Sequence, residues 1–228
     1  MKSTKYLIAL IIFMVCTNVN GQEFSPFTLS VAYLHNTSEN RPLSVNGNFA
    51  FNLPIHRDSL VTVLAGSSFK SFKVDLPGDT MNINYLYSIS VPFTVVSNVS
   101  SGKMITFLLE PIISADFEGI SHKNFRFNTA LFYRVSNRNG STCGVGVAAT
   151  KRFSGFLIVP VLLFNIKYSD KWLLSGSFPL KQKLSYCIDN KKQIGINLGA
   201  GNNSFRLSKA KENRYINTQQ FGAGCFYQ

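Results

Sequence analysis

The side chains that could carry catalysis or bind a metal are few and lie far apart in this sequence. Histidine occurs at His35, His56 and His122, and no two of these residues have the spacing of a metal site or of an HExxH motif. No GxSxG motif is present, and no glycine-rich stretch is followed by the Gly-Lys-Ser/Thr of a phosphate-binding loop. We therefore predict that the chain is not an enzyme and has no catalytic, metal-binding or cofactor-binding residue.

The cysteines give a similarly plain pattern. Cys16 lies in an N-terminal apolar run, which leaves Cys143, Cys187 and Cys225 in the rest of the chain. Their number is odd, their spacings are long, and no CxxC motif occurs. A disulfide or a metal site is one interpretation, but we favour three small, unpaired strand residues.

The charge of the chain is basic but dispersed. Lys and Arg number 23 against 11 Asp and Glu, which gives a net charge of +12. Only 15% of the residues are charged, whereas an average soluble domain has about 25%. Because no basic run is longer than a pair such as Lys151-Arg152 or Lys191-Lys192, we predict no nucleic-acid partner.

The N-terminus has the pattern of an export signal. Lys2 and Lys5 precede an unbroken apolar run over residues 6–16, which is too short for a spanning helix of about 20 residues and matches a signal core of about 7–15. Val19 and Gly21 supply small residues at the −3 and −1 positions of a cleavage site. We predict a signal peptide over residues 1–21 and a second region over 22–228, rather than a membrane anchor or a buried helix.

The rest of the chain alternates apolar and polar residues with the period of a β-strand. The clearest segments are residues 27–33, 43–53, 83–95 and 125–135. Short polar turns are predicted at 56–59, 97–103, 137–141, 169–171 and 189–192. A second set of connections is predicted at 35–42, 73–82, 117–123, 153–156, 179 and 201–214. These breaks define twelve strands, with both ends of the mature chain on the side of the short turns.

This organisation predicts an all-β fold: a closed antiparallel up-and-down transmembrane β-barrel of about 12 strands, with 10–14 possible. In lipid every backbone N–H and C=O must be paired, so a spanning sheet has to close on itself. A secreted or periplasmic β-sandwich is the alternative, but it would carry more surface charge. Aromatic residues also lie near predicted strand ends, as in the interfacial girdles of barrels: Tyr33, Tyr85, Tyr87, Tyr133, Tyr168 and Trp172.

Two stretches carry a family resemblance. The segment WLLSGSFPLKQKLSY from Trp172, followed by IGINLGAG and SFRL, together with EPIISADF from Glu110, resembles a family of functionally uncharacterised outer-membrane β-barrel proteins of Gram-negative bacteria. The resemblance implies a barrel in the cell outer membrane and transfers no binding or catalytic residue. The H-x-S element of the outer-membrane phospholipases, which also have twelve strands, is absent.

The C-terminal segment carries a second resemblance. Residues 220–227 (QFGAGCFY) resemble the final-strand signal that the barrel assembly machinery reads, although Gln228 after the terminal aromatic residue departs from that pattern. The partners expected from both resemblances are therefore outer-membrane lipid and, during biogenesis, the assembly machinery.

Two functions stay open at this point. Without Lys2 and Lys5 the mature chain has a net charge of +10, which would favour anions in a narrow passive channel for small solutes. The alternative is a non-conducting structural or adhesive barrel with a plugged lumen, whose outer loops contact a partner. Six charged residues fall by parity on polar strand faces, and they are our candidates for lumen-facing charges: Glu110, Asp116, Arg126, Arg134, Lys181 and Lys183.

Four of these candidates are predicted to form a cluster in one hairpin. The strands over residues 104–116 and 124–136 are joined by the connection 117–123, and centring the hairpin near residues 120–121 makes paired residue numbers sum to about 242. Asp116 would then face Arg126, and Glu110 would lie one diagonal step from Arg134. Such a cluster could act as a selectivity constriction or as a plug that holds two strands in register.

Overall fold

The computed structural model describes residues 27–34, 44–74, 85–116, 118–137, 139–189, 192–207 and 215–227. These residues form thirteen strand segments: β1 (Phe27–Leu34), β2 (Ser44–Arg57), β3 (Val61–Val74), β4 (Tyr85–Ser90), β5 (Phe93–Ser100), β6 (Lys103–Ala115), β7 (Phe125–Ser136), β8 (Thr142–Arg152), β9 (Gly155–Lys167), β10 (Trp172–Phe178), β11 (Lys181–Cys187), β12 (Gln193–Arg206) and β13 (Tyr215–Tyr227). A three-residue 3-10 helix, His122–Asn124, precedes β7. Within the described ranges no helix is both long and apolar enough to cross a bilayer. The predicted signal peptide lies outside the described residues.

The strands form an antiparallel meander. Each strand pairs with its neighbours along the chain, and β4 and β5 both pair with β3 on one side and β6 on the other. They are therefore two segments of one strand position, so the meander has twelve positions. The break at Val91 and Pro92 interrupts the single strand predicted over 83–95, because proline has no N–H to give to the ladder.

Most of the described connections lie at or near their predicted positions. Five short turns, at residues 58–60, 101–102, 137–141, 168–171 and 188–192, lie at one end of the sheet, which we call the turn end. The opposite end, which we call the loop end, has its described connections at 116–124, 153–154 and 179–180. The connection predicted at 35–42 and most of the one predicted at 73–82 lie outside the described residues. The one predicted at 201–214 begins later than expected, because β12 continues through residues 201–206.

Side chains close several of the turns. The Asp58 carboxylate accepts hydrogen bonds from the backbone N–H groups of Val61 at 2.6 Å and Leu60 at 2.7 Å. These bonds, with His56 at 3.2 Å, hold the pKa of the exposed Asp58 carboxyl below its usual value. Asp189 accepts from the N–H of Lys192 at 2.8 Å in the same way. Turn residues whose side chains satisfy the backbone locally fix where each strand ends.

The ring closes differently from the expectation. A twelve-strand barrel requires β1 to pair with β13, and the described residues contain no such pairing. Instead a single parallel bridge joins Arg206 of β12 to Ala115 of β6, so β6 to β12 form a closed barrel of seven strands. The segments β1 to β5 and β13 extend the sheet beyond this ring.

The two faces of the sheet have opposite character. One face, which we call the outer face, exposes large apolar side chains such as Phe107, Leu131 and Phe156, the last of them 69% exposed. The other, the inner face, is shielded and largely polar on β3 to β7. It buries Arg126 to 4% exposure and Ser114 to 0%. Along β6 and β7 the two faces alternate residue by residue, as the predicted parity requires.

Apolar side chains fill the interior at the loop end. Phe72 and Leu86 on the inner face of β3 and β4 pack with Phe205 and Leu207 from the end of β12, and Ile216 of β13 packs against them. The rings of Phe72 and Phe205 lie with their centroids 4.9 Å apart in an edge-to-face arrangement. This group, which we call the apolar cluster, joins the two sides of the sheet across its interior.

Candidate functional site

Acidic and basic residues are distributed very unequally over the strands. Glu110 is the one acidic residue in any described strand, because the other described acids lie in turns and connections. Twelve basic residues lie in the same strands: Arg57, Lys70, Lys73, Lys103, Arg126, Arg134, Lys151, Arg152, Lys167, Lys181, Lys183 and Arg206. The register of the ladders places six of them, well inside the strands or at the loop end, on the inner face with Glu110: Lys70, Arg126, Arg134, Arg152, Lys181 and Lys183. The described inner face is therefore basic.

Glu110 is held by neutral hydrogen-bond donors. Its Oε1 accepts from the Ser90 hydroxyl at 2.6 Å, and its Oε2 accepts from the Asn128 side-chain amide at 2.8 Å. Ser90 is in turn 2.7 Å from the hydroxyl of Ser68. These residues come from β3, β4, β6 and β7, so the carboxylate ties four neighbouring strand segments together.

Arg126 occupies the next position towards the loop end. Its Nε and Nη2 donate to the Ser114 hydroxyl at 3.2 and 3.1 Å, and Ser114 donates to the hydroxyl of Ser88 at 2.9 Å. Arg126 faces Ile112, so Glu110 and Ser114 lie diagonally on either side of it. Glu110 is near enough to attract the guanidinium but forms no salt bridge with it. We call this set the polar cluster: Ser68, Ser88, Ser90, Glu110, Ser114, Arg126 and Asn128.

The predicted register of this hairpin was wrong. Residue pairs between β6 and β7 sum to 238 rather than 242, as in the pair Glu110 and Asn128. The 3-10 helix takes up residues on the β7 side of the connection, where the Asn124 side chain accepts from the N–H and the hydroxyl of Ser121 at 2.8 and 2.9 Å. Asp116 consequently does not face Arg126. It lies after the end of β6 and accepts from the N–H of Glu118 at 3.3 Å.

The remaining predicted residues lie apart from the polar cluster. Arg134 is on the inner face near the turn end, opposite Met104 and Gly144. Lys183 lies opposite Ser175 and Asn197, with its Nζ 4.3 Å from the centre of the Phe226 ring. Lys181 begins β11 and is exposed. Of the six candidates, the structure brings together only Glu110 and Arg126.

Sequence reasoning missed two cationic residues of this region. Lys70 lies on the inner face opposite Ser88 of the polar cluster. Arg152 is the last residue of β8. The last β7–β8 pair is Asn128 with Thr150, and continuing this register by two residues places Arg152 opposite Arg126 on the same face. The pair Lys151-Arg152 was visible in the sequence, and the parity of β8 shows which member of it points inward.

Many shielded polar atoms have no protein partner within the described residues. Those on the inner face are Nε of Arg134 and Arg152, Oδ1 of Asn128, Oγ of Ser185 and Oγ1 of Thr218. Buried polar groups are nearly always hydrogen-bonded, so these atoms require water or a solute. We therefore expect water molecules to contact these polar groups of the inner face.

Three further features of this region concern metal ligands, thiols and a cavity. The described residues contain no group of three metal-ligating side chains, and Cys143, Cys187 and Cys225 are free thiols. A cavity of about 400 Å³ opens at the turn end, where Leu60 and Val99 meet the inner-face residues Met104 and Ser136. The interior is thus open to a cavity at the turn end and packed by the apolar cluster at the loop end.

Comparison with known protein families gives a match over most of the chain. The family described as Domain of unknown function (DUF6268) matches residues 36–226, which is most of the chain. No curated protein and no solved structure matches the sequence. On the extent of the family match, the chain belongs to the DUF6268 family of domains of unknown function.

Proposed function

We propose that the chain is an integral β-barrel protein of the outer membrane of Gram-negative bacteria, exported by the signal peptide over residues 1–21. In the membrane, β1 and β13 pair to close a barrel of twelve strand positions. Outer-membrane lipid covers the outer face, and the assembly machinery reads the C-terminal strand. The proposal assigns no catalytic residue, metal or cofactor.

The observation that carries this proposal is the reversed burial of the two faces. The outer face exposes residues such as Phe107, Leu131 and Phe156, while Arg126 and Ser114 are buried. In water this arrangement leaves apolar area exposed at a cost of about 25 cal/mol per Å². In a bilayer the same band contacts hydrocarbon and its exposure carries no such cost.

The inner face supports a narrow passage for small anions. Within the described strands it carries Lys70, Arg126, Arg134, Arg152, Lys181 and Lys183 against the single carboxylate of Glu110. The shielded polar atoms without protein partners indicate that water enters this interior. A wet, basic interior with low-dielectric walls raises the local concentration of anions.

The apolar cluster favours a second candidate, a non-conducting structural or adhesive barrel. Phe72 and Phe205 meet across the interior at the loop end, so a pore along the barrel axis is closed there. The connections at that end would then contact a partner. The two candidates share the membrane location and differ in whether the apolar cluster opens.

Two measurements test the proposal in order. The protein folded in detergent should migrate differently on gels with and without heating, and it should float with phospholipid vesicles in a density gradient. Recovery as a soluble monomer without detergent would refute the membrane location. In planar bilayers, anion-selective current steps support the passage, and a folded but silent barrel supports the second candidate.

A further inference from the structure

We propose that Arg126 and Arg152 form a binding site for a small tetrahedral oxyanion of the phosphate class at the loop end of the inner face. The inference deepens the proposed passage and rests on the inner face being its polar interior. It names the chemistry of the solute and the two residues that recognise it.

Arg126 has donors to spare. A guanidinium has five N–H donors, and Arg126 uses only Nε and Nη2 within the described residues, both directed to the single oxygen of Ser114. At 4% exposure, little of the guanidinium is left for bulk water to solvate. A buried guanidinium with unused donors is the side chain that binds the forked oxygens of a phosphate or carboxylate best.

Arg152 brings a second guanidinium to the same place. Continuing the β7–β8 register two residues past its last pair, Asn128 and Thr150, puts Arg152 opposite Arg126 on the inner face, and it is close enough for the two charges to repel each other. Its Nε is shielded and has no hydrogen-bond partner in the described part of the chain. Like charges directly opposite each other destabilise a sheet unless an anion lies between them.

The protein does not supply enough negative charge for this pair. Glu110 is the one carboxylate in any described strand, and both of its oxygens already accept bonds from Ser90 and Asn128. Lys70 adds a third cation on the same face, opposite Ser88. Three cations against one carboxylate leave an excess of two positive charges, which fits a dianionic oxyanion better than chloride.

The site has an approach from one side. On β3 and β4 the apolar cluster covers the polar cluster, because Phe72 and Leu86 lie one inner-face position closer to the loop end than Lys70 and Ser88. On β8 no such cover exists in the described residues, and Arg152 is partly exposed beside the connection 153–154. An anion therefore reaches Arg126 past Arg152.

The test measures binding of inorganic phosphate to the detergent-folded protein by isothermal titration calorimetry, in buffer with constant chloride. We expect one phosphate per chain. Arg152→Gln should weaken binding by about tenfold or more, the effect of one lost charge-assisted hydrogen bond. Arg126→Lys should also weaken it, since an ammonium cannot form the fork.

The matched control is Arg134→Gln. It removes the same charge from the same face and the same strand as Arg126, about 27 Å away at 3.4 Å per residue. It should leave the phosphate affinity within about twofold, because screening makes so distant a charge weak. Heat-dependent gel migration identifies variants that fail to fold, and these are set aside in favour of the folded ones.

The outcomes separate this inference from the proposed function. No phosphate binding by a folded, vesicle-floating protein overturns the site and leaves the membrane barrel in place. Equal loss in Arg152→Gln and Arg134→Gln also overturns it, because the effect would then be one of overall charge. Phosphate binding by a protein that does not float supports the site and refutes the membrane location.

Discussion

Replacing Phe51 by arginine tests the membrane assignment most directly. Phe51 lies on the outer face of β2, 37% exposed, opposite Phe27 of β1 and Ser67 of β3. The strand has 14 residues, and Phe51 is half a residue from its midpoint. At 3.4 Å per residue and a tilt of about 40°, the side chain lies about 1 Å from the middle of the span.

The expected effect follows from that depth. An arginine at the bilayer midplane destabilises a barrel by about 2–4 kcal/mol, which lowers the folding equilibrium constant by about 30- to 900-fold. With a urea slope of about 2 kcal/mol per molar, the unfolding midpoint falls by about 1–2 M. The single tryptophan, Trp172 on the outer face, reports folding into vesicles by its fluorescence. In a water-soluble sheet the same exposed substitution would change stability by less than about 0.5 kcal/mol.

Two controls separate charge from packing and one face from the other. Phe51→Leu removes the ring without adding charge and should shift the midpoint much less. Asn48→Arg puts the same charge on the inner face of the same strand, where it meets Lys70 and costs up to about 1 kcal/mol. If Phe51→Arg and Asn48→Arg have equal effects, the assignment of the two faces to lipid and interior is wrong.

Three further predictions follow from the fold. Closure of the full barrel predicts that Phe27→Cys forms a disulfide with Phe221→Cys in a chain without its native cysteines, because both positions lie on the outer face near the middle of the sheet; no cross-link at Phe27 or its outer-face neighbour Leu29 would count against the twelve-strand seam. Phe205→Ala, which empties part of the apolar cluster, should raise bilayer conductance if that cluster closes the passage, and an unchanged silent trace would argue for a permanent plug. Glu110→Gln weakens two charge-assisted hydrogen bonds, so it should lower the urea midpoint of unfolding by about 0.5–2 M more than Asp170→Asn, a change in an exposed turn. Equal shifts in the two variants would contradict the role assigned to the polar cluster.

Local features of the fold were predictable because short-range physics sets them. Turn residues such as Asp58 and Asp189 bond to the backbone within three residues, so their sequence alone marks the strand ends. Alternation of apolar and polar residues gave the faces of β6 and β7, including the inner positions of Glu110 and Arg126. Both signals depend on residues only a few positions apart.

Register and closure depend on contacts that such signals do not contain. The β6–β7 pairing differs from the expected one because Ser121 and Asn124 bond to each other inside the connection, and a strand pattern gives no sign of this. The break at Pro92 kept the predicted strand position but divided it in two. The bridge between Ala115 and Arg206 joins distant segments whose sequences carry no mark of each other. Arg152 was missed for the same reason, since its neighbour across the sheet is set by register.

The meander also determines the order in which the chain can fold. Almost every strand contact in the described residues joins neighbours in the sequence, so each hairpin closes a short loop at a small entropic cost. The bridge between Ala115 and Arg206 is the exception, because it joins residues about ninety positions apart. Ring closure is therefore the late and slow step. The bridge leaves the edges of β1 and β13 unpaired in the described residues, and in the proposed barrel only their pairing covers them, so the seam between β1 and β13 also protects the protein from joining other chains.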